Sequence, residues 1–253
     1  MNEIRTVSET KRTFYSLHQR PINAIYRRVV EELMVEMHLL SVSADFRFES
    51  IYVLGVVTAF DRFMVGYQPE RDLGSIFHAL CQSVGGNVDD YRHRANRLTE
   101  AARVAGLDDL TAALSRTEGS GGALREAADT IAHGQGFKYS RLFGIGLYTL
   151  IETSAPDLAT SPDRLKEAIE RLGTILNLPI EKLQKDLELY RGNLEKIAQA
   201  RITYEDMLEA ERRKREQRAQ EKAAAAEAKA AAAEAAATAS SEPVADAPPS
   251  DPA

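Results

Sequence analysis

FKYSRLFGIGLYTLIE, residues 137–152, decides what kind of fold this chain takes. Nine of its sixteen residues are aromatic or large aliphatic, in a chain of 253 residues that is 28% charged. Three readings compete: a glycine turn for a nucleotide, a dip into a membrane, or a piece of the protein's own core. Gly144 and Gly146 form G-x-G, but the third glycine of a dinucleotide fingerprint is missing and no strand pattern precedes them. The stretch is also shorter than the ~20 apolar residues that cross a bilayer. A helix with apolar groups on nearly all sides is enclosed by other helices. Gly144 and Gly146 then serve to let a buried helix approach its neighbours closely. IYVLGVVTAFDRFM, residues 51–64, has the same all-round apolar character. Two buried helices ringed by amphipathic ones predict an all-α, multi-helix globular bundle over residues 1–178.

The ring can be read in order. Thr6 and Glu9 form a capping box, which predicts a helix from about Val7 to Leu17. Pro21 is placed at the first helical position of PINAIYRRVVEELMVEMHLL, where Ile22, Ile25, Tyr26, Val29, Val30, Leu33, Met34 and Met37 keep helical spacing. A further helix starts at Pro69 and stops at Gly85-Gly86, and Asn87 caps the next. TEGSGG marks a flexible connection near residue 120, and Ser161-Pro162-Asp163 opens a helix carrying Leu165, Ile169, Leu172 and Leu176.

From Pro179 the character changes. Leu183, Leu187, Tyr190, Leu194, Ile197, Arg201, Tyr204 and Leu208 recur at spacings of four and three, a heptad seam with a polar break at Arg201. The following Ala/Glu/Lys/Arg stretch is built of strong helix formers. One long coiled-coil and Ala-rich helix is therefore expected over 179–238, on the order of 85 Å long at 1.5 Å per residue, with its distal half in solvent. Residues 239–253, proline-rich and acidic, are expected to be disordered. The seam residues Leu183, Leu187, Tyr190, Leu194, Ile197 and Arg201 are the candidate partner-binding set: some dock on the body, and any left exposed offer a contact.

Residues that would carry chemistry do not assemble in the sequence. The five histidines form no H-E-x-x-H pair and no Glu-x-x-His, so neither a zinc nor a di-iron bundle pattern is present. There is no phosphate loop and no nucleophile elbow. Cys81 reads as a buried small hydrophobe and His38 as a partner for the C-terminal dipole of its helix. Asp61 and Arg62, which interrupt an apolar helix, are expected to pair with charges on neighbouring helices. The expectation is no catalytic group, no metal and no cofactor. A net charge of -6 gives no general pull toward nucleic acid. No apolar run is long enough to span a membrane, and MNEIRTVSETKRTFY has no continuous apolar core of a secretory signal.

RTVSETKRTFYSLHQRPINAIYRRVVEELMVEMHLL, then FRF, LGVVTAFDRFMVGY and FKYSRLFGIGLYTL resemble the thylakoid formation protein family, also called photosystem II biogenesis proteins. The resemblance is dense over residues 4–68, clear at 136–151 and looser to about 205. The extension after about 209 matches no block of the family. The resemblance implies a wholly helical protein of the cyanobacterial form, without enzymatic activity, that assists photosystem II biogenesis and repair and the upkeep of the thylakoid membrane. It further implies an FtsH-type membrane protease complex as partner, photosystem II as an indirect one, and a place on the cytoplasmic face of the thylakoid membrane, held peripherally. The rival reading is a structural protein of the thylakoid surface that gathers lipid or vesicles through ERRKRE (211–216) and the long charged helix.

Leu147→Asp tests the central position of the opening stretch. It should bury an unpaired charge, cost several kcal/mol and lower the melting temperature sharply. A soluble variant with an unchanged melting temperature would contradict the core assignment.

Overall fold

The computed structural model describes residues 5–117, 121–133 and 137–239. Among them are nine α-helices and no strand. They are α1 (Val7–Leu17), α2 (Ala24–Ser41), α3 (Ser50–Phe63), α4 (Leu73–Ser83), α5 (Val88–Leu114), α6 (Gly122–His133), α7 (Arg141–Ser154), α8 (Pro162–Ile175) and α9 (Ile180–Ala239). The connection near residue 120 and the tail from residue 240 lie outside the described residues. The chain divides into two compact units, Met1–Arg201 and Ile202–Ala253. The first turns of α9, up to Arg201, therefore belong to the same unit as the helical body.

The starts and stops follow local chemistry. Thr6 and Glu9 make the capping box: the Glu9 amide donates to the Thr6 hydroxyl, and the Thr6 amide donates to the Glu9 carboxylate. The Thr6 amide and hydroxyl both donate to the Glu9 carboxylate and hold it below its ordinary range. α2 begins three residues later than its proline suggested. Asn23 takes the cap by accepting from the Ile25 amide, because its side-chain oxygen satisfies an open helix donor at that point. Asn87 caps α5 by accepting from the amides of Asp89 and Asp90. Gly106, at φ 67° and ψ 175°, breaks the helical geometry inside α5.

α3 and α7 form the centre. Residues Ile51–Phe60 and Leu142–Ile151 are buried without interruption. The two helices meet backbone to backbone. A methyl on Gly55 would lie 1.7 Å from the Leu142 carbonyl oxygen, and one on Gly146 would lie 1.9 Å from that of Ile51. No side chain fits into such gaps, so only glycine allows the crossing. Gly144, by contrast, faces side chains: the Tyr139 hydroxyl at 2.6 Å and a Leu183 methyl at 3.0 Å from the same imagined atom.

The rest of the body closes over this pair. The FRF segment does so with its aromatic rings: Phe46 stacks edge-on against Tyr52 at 5.1 Å and Phe48 against Tyr91 at 5.0 Å. Asp61 and Arg62 are paired as expected, Asp61 with Arg92 at 2.6 Å and Arg62 with Glu152 at 2.7 Å. The buried Asp72 carboxylate is met by Arg20 at 2.8 Å. Glu49, ahead of α3, is 4% exposed, and burial pushes its carboxyl from 4.5 up to about 7 against the smaller opposing effect of Arg47.

Two expected outcomes follow from these contacts. Gly55→Ala and Gly146→Ala should each lower stability by more than about 3 kcal/mol in urea titrations, while Gly144→Ala should cost about 1 kcal/mol because side chains can give way. Equal losses at all three positions would remove the backbone crossing as the cause. Glu49 binds its proton more tightly when folded, so its contribution is fully present below about pH 4.5 and is lost as pH rises through about 7. Glu49→Gln, neutral throughout, should match the native chain in acid and exceed its melting temperature above neutrality. A pH-independent difference would remove Glu49 as the titrating group.

Candidate functional site

The candidate contact set lies on α9, and the structure divides it into three parts. Leu183, Leu187 and Tyr190 are 0%, 4% and 2% exposed. Leu183 packs between Gly144 of α7 and Gly173 of α8, where the missing side chains leave room for its methyls. Tyr190 sets its ring edge-on against Phe63 at 5.5 Å and 89°. The Tyr190 hydroxyl is buried without a hydrogen bond of normal geometry. Burial pushes that hydroxyl up to about 12, and the neighbouring Arg62 guanidinium works in the opposite direction. These three are the seam residues that dock on the body: the core covers them, and they could meet a partner only if α9 lifted off it.

Leu194 and Ile197, one and two turns further on, are half-buried against the same core. Arg201 then closes the first unit. Its guanidinium donates to the Val65 carbonyl at 3.2 Å, and its side chain lies over Gly66. Gly66 has φ 81°, a conformation that favours glycine, and an added methyl would sit 2.6 Å from the Arg201 side chain. The polar break in the heptad seam is therefore the point where α9 is tied to the end of α3. The seam up to this point packs on the body's own helices rather than on a second coiled-coil strand.

Beyond Arg201 the described side chains to residue 232 are exposed. Four are large and apolar: Ile202 at 47%, Tyr204 at 41%, Met207 at 63% and Leu208 at 48%. Tyr204, Met207 and Leu208 stand at i, i+3 and i+4 and share one face of the helix. The charged stretch that follows is laced internally, Arg213 to Glu209 at 2.7 Å and Arg212 to Glu216 at 3.6 Å. The heptad reading included Tyr204 and Leu208 in the seam but left Ile202 and Met207 unmarked. The signal for them was present as apolar residues in an otherwise charged run, and what it lacked was knowledge of where the body ends.

Elsewhere the geometry changes one assignment, His38, and bears out another, the buried Cys81. His38 is 3% exposed and shares a 2.9 Å hydrogen bond with the Thr10 hydroxyl through Nδ1. Burial lowers its pKa, which favours the neutral ring over a cation at the end of α2. Cys81 is buried, and burial pushes its thiol up to about 12, while His78 on the same helix is exposed. The two do not act together. Among the described residues no group of three or more His, Cys, Asp or Glu side chains has a metal-holding arrangement, and no helix is long and apolar enough to cross a membrane.

The model of the thylakoid formation protein family matches residues 6–219. The match runs past the expected edge near 209 and takes in the exposed apolar residues and the basic run. Protein Thf1 of Trichormus variabilis is 55% identical over 222 residues, which cover 85% of this chain and 94% of that protein. Protein Thf1 of Gloeothece citriformis is 48% identical over 219 residues, covering 85% and 97%. The solved structure of Psb29 superposes with a TM-score of 0.74 at 43% identity, covering 83% of this chain and 98% of that one. With the helical fold and its long last helix matched over most of their length, this chain belongs to the thylakoid formation protein family.

Proposed function

We propose that this protein is a non-enzymatic accessory factor for photosystem II biogenesis and repair and for thylakoid membrane biogenesis, and that it acts by binding and stabilising an FtsH-type membrane protease. Membership of the thylakoid formation protein family supports the setting. The observation that carries the mode of action is the exposed apolar face of Tyr204, Met207 and Leu208, with Ile202 beside it. Large apolar side chains grouped on one helix face, followed by charged residues, fit the way an amphipathic helix docks into a groove on a protein partner. The contact is thereby moved along α9 from the buried part of the seam to the first turns after Arg201.

The rival, a lipid-gathering surface protein, would rely on the exposed basic residues from Arg212 to Arg218. Arg212 and Arg213 are already paired with Glu216 and Glu209, which weakens their pull on anionic lipid. An electrostatic lipid contact would also fade as salt rises.

In a cyanobacterium deleted for its own member of the family, protease abundance should fall and photosystem II recovery after strong light should slow. This chain should restore both, and a Met207→Asp, Leu208→Asp variant should not, although its exposed positions leave the fold and melting temperature unchanged. Normal protease levels in the deletion strain would end the functional reading. Full rescue by the double variant would end only the assigned contact.

A further inference from the structure

Within the helical body, α2 and the 190–200 stretch of α9 stand apart over the α3–α7 pair and leave a cleft of about 430 Å³ between them. Its floor is apolar, formed by Ala59 and Phe63 of α3 and by Leu142 and Ile145 of α7. Leu33 of α2 and Ile197 of α9 extend the apolar surface up the two walls. The lip is charged. Arg28 is held by Glu32 at 2.9 Å and Arg141 by Glu36, so these four neutralise one another. Lys196 on the α9 side has no ion pair among the described residues, and it leaves the mouth with one uncompensated positive charge.

Size decides the kind of occupant. A helix is about 10–12 Å across, so three turns of it, even half sunk, need on the order of 600 Å³. The cleft is too small for that and falls in the ~300–1,000 Å³ range of small-molecule sites. At about 30 Å³ for each water-sized group it holds roughly fourteen non-hydrogen atoms, one short chain and not two. We propose that this cleft binds a free, single-chain anionic amphiphile, a medium-chain carboxylate, with its chain along the Ala59–Ile145 floor and its head at Lys196. The apolar floor removes the chain from water, and the lone positive charge at the lip selects the sign of the head group.

The probe is dodecanoate, titrated into the full chain below its micelle threshold and followed by calorimetry and by the rise in melting temperature that a ligand of the folded state produces. Saturable one-to-one binding is expected. Ala200→Trp, a change at an exposed position lining the cleft, should abolish it. Lys196→Glu should weaken it about tenfold, the effect of reversing one solvent-exposed charge partner. Dodecyltrimethylammonium, with the same chain and the opposite head, should bind more weakly than dodecanoate. The proposal is overturned by absent saturation below the micelle threshold, by unchanged binding in an Ala200→Trp variant that melts normally, or by equal affinity for the two head groups. Should Ala200→Trp not fold, unchanged binding in Lys196→Glu overturns it alone. Flotation with dodecanoate-containing vesicles without binding of the monomer would show a membrane contact instead of the cleft site, and would overturn it too.

Discussion

The backbones of α3 and α7 touch at Gly55 and Gly146, and the arrangement of the other helices depends on that crossing. Where two helices meet without side chains between them, the apolar groups on their remaining faces point outward in every direction. Residues Ile51–Phe60 and Leu142–Ile151 then need cover on all sides, which a ring of helices supplies. The close approach makes the centre intolerant of added volume. At the periphery, partly exposed rings such as Phe46 and Phe48 close over Tyr52 and Tyr91.

Charge is arranged around that centre in pairs. Asp61 with Arg92, Arg62 with Glu152, Arg141 with Glu36 and Arg20 with Asp72 each join segments distant in sequence. Their worth lies less in Coulomb energy, which water weakens at the exposed pairs, than in avoiding an unpaired charge against the core. Glu49 departs from the pattern. Its carboxyl sits at the entrance to α3 with burial as the dominant influence, and the result is an acid that titrates near neutrality.

The same economy of surface determines what α9 offers. Up to Arg201 the apolar side chains of its seam complete the core and the walls of the α2–α9 cleft, while Leu189, off the seam, is exposed. After Arg201 they are exposed, and the family match continues through them to residue 219. One heptad pattern thus serves two physical roles, folding first and surface afterwards, with the Arg201 guanidinium on the Val65 carbonyl marking the change.

Much of this was legible in the residues alone. Local signals act over one or two turns: the Thr6/Glu9 capping box, the Asn87 cap, and the uninterrupted apolar runs of α3 and α7 identify a helical protein and its central pair without knowledge of any distant contact. The family blocks lie in those same stretches. Periodicity, however, reports that a helix has an apolar face and not what covers it, so Leu187 and Leu208 look alike in sequence although one is 4% exposed and the other 48%. Gly55 reads as one more small residue in an apolar helix until Leu142 is brought against it from 87 positions away. His38 reads as a helix-end cation until the core that buries it beside Thr10 favours its neutral form. The sequence by itself determined which segments are helical and which of them are buried on all sides, because those properties are written in neighbouring residues. Only the tertiary structure decided where the seam of α9 leaves the core, which glycines are irreplaceable and where a cleft remains, because each is set by atoms that meet across long stretches of chain.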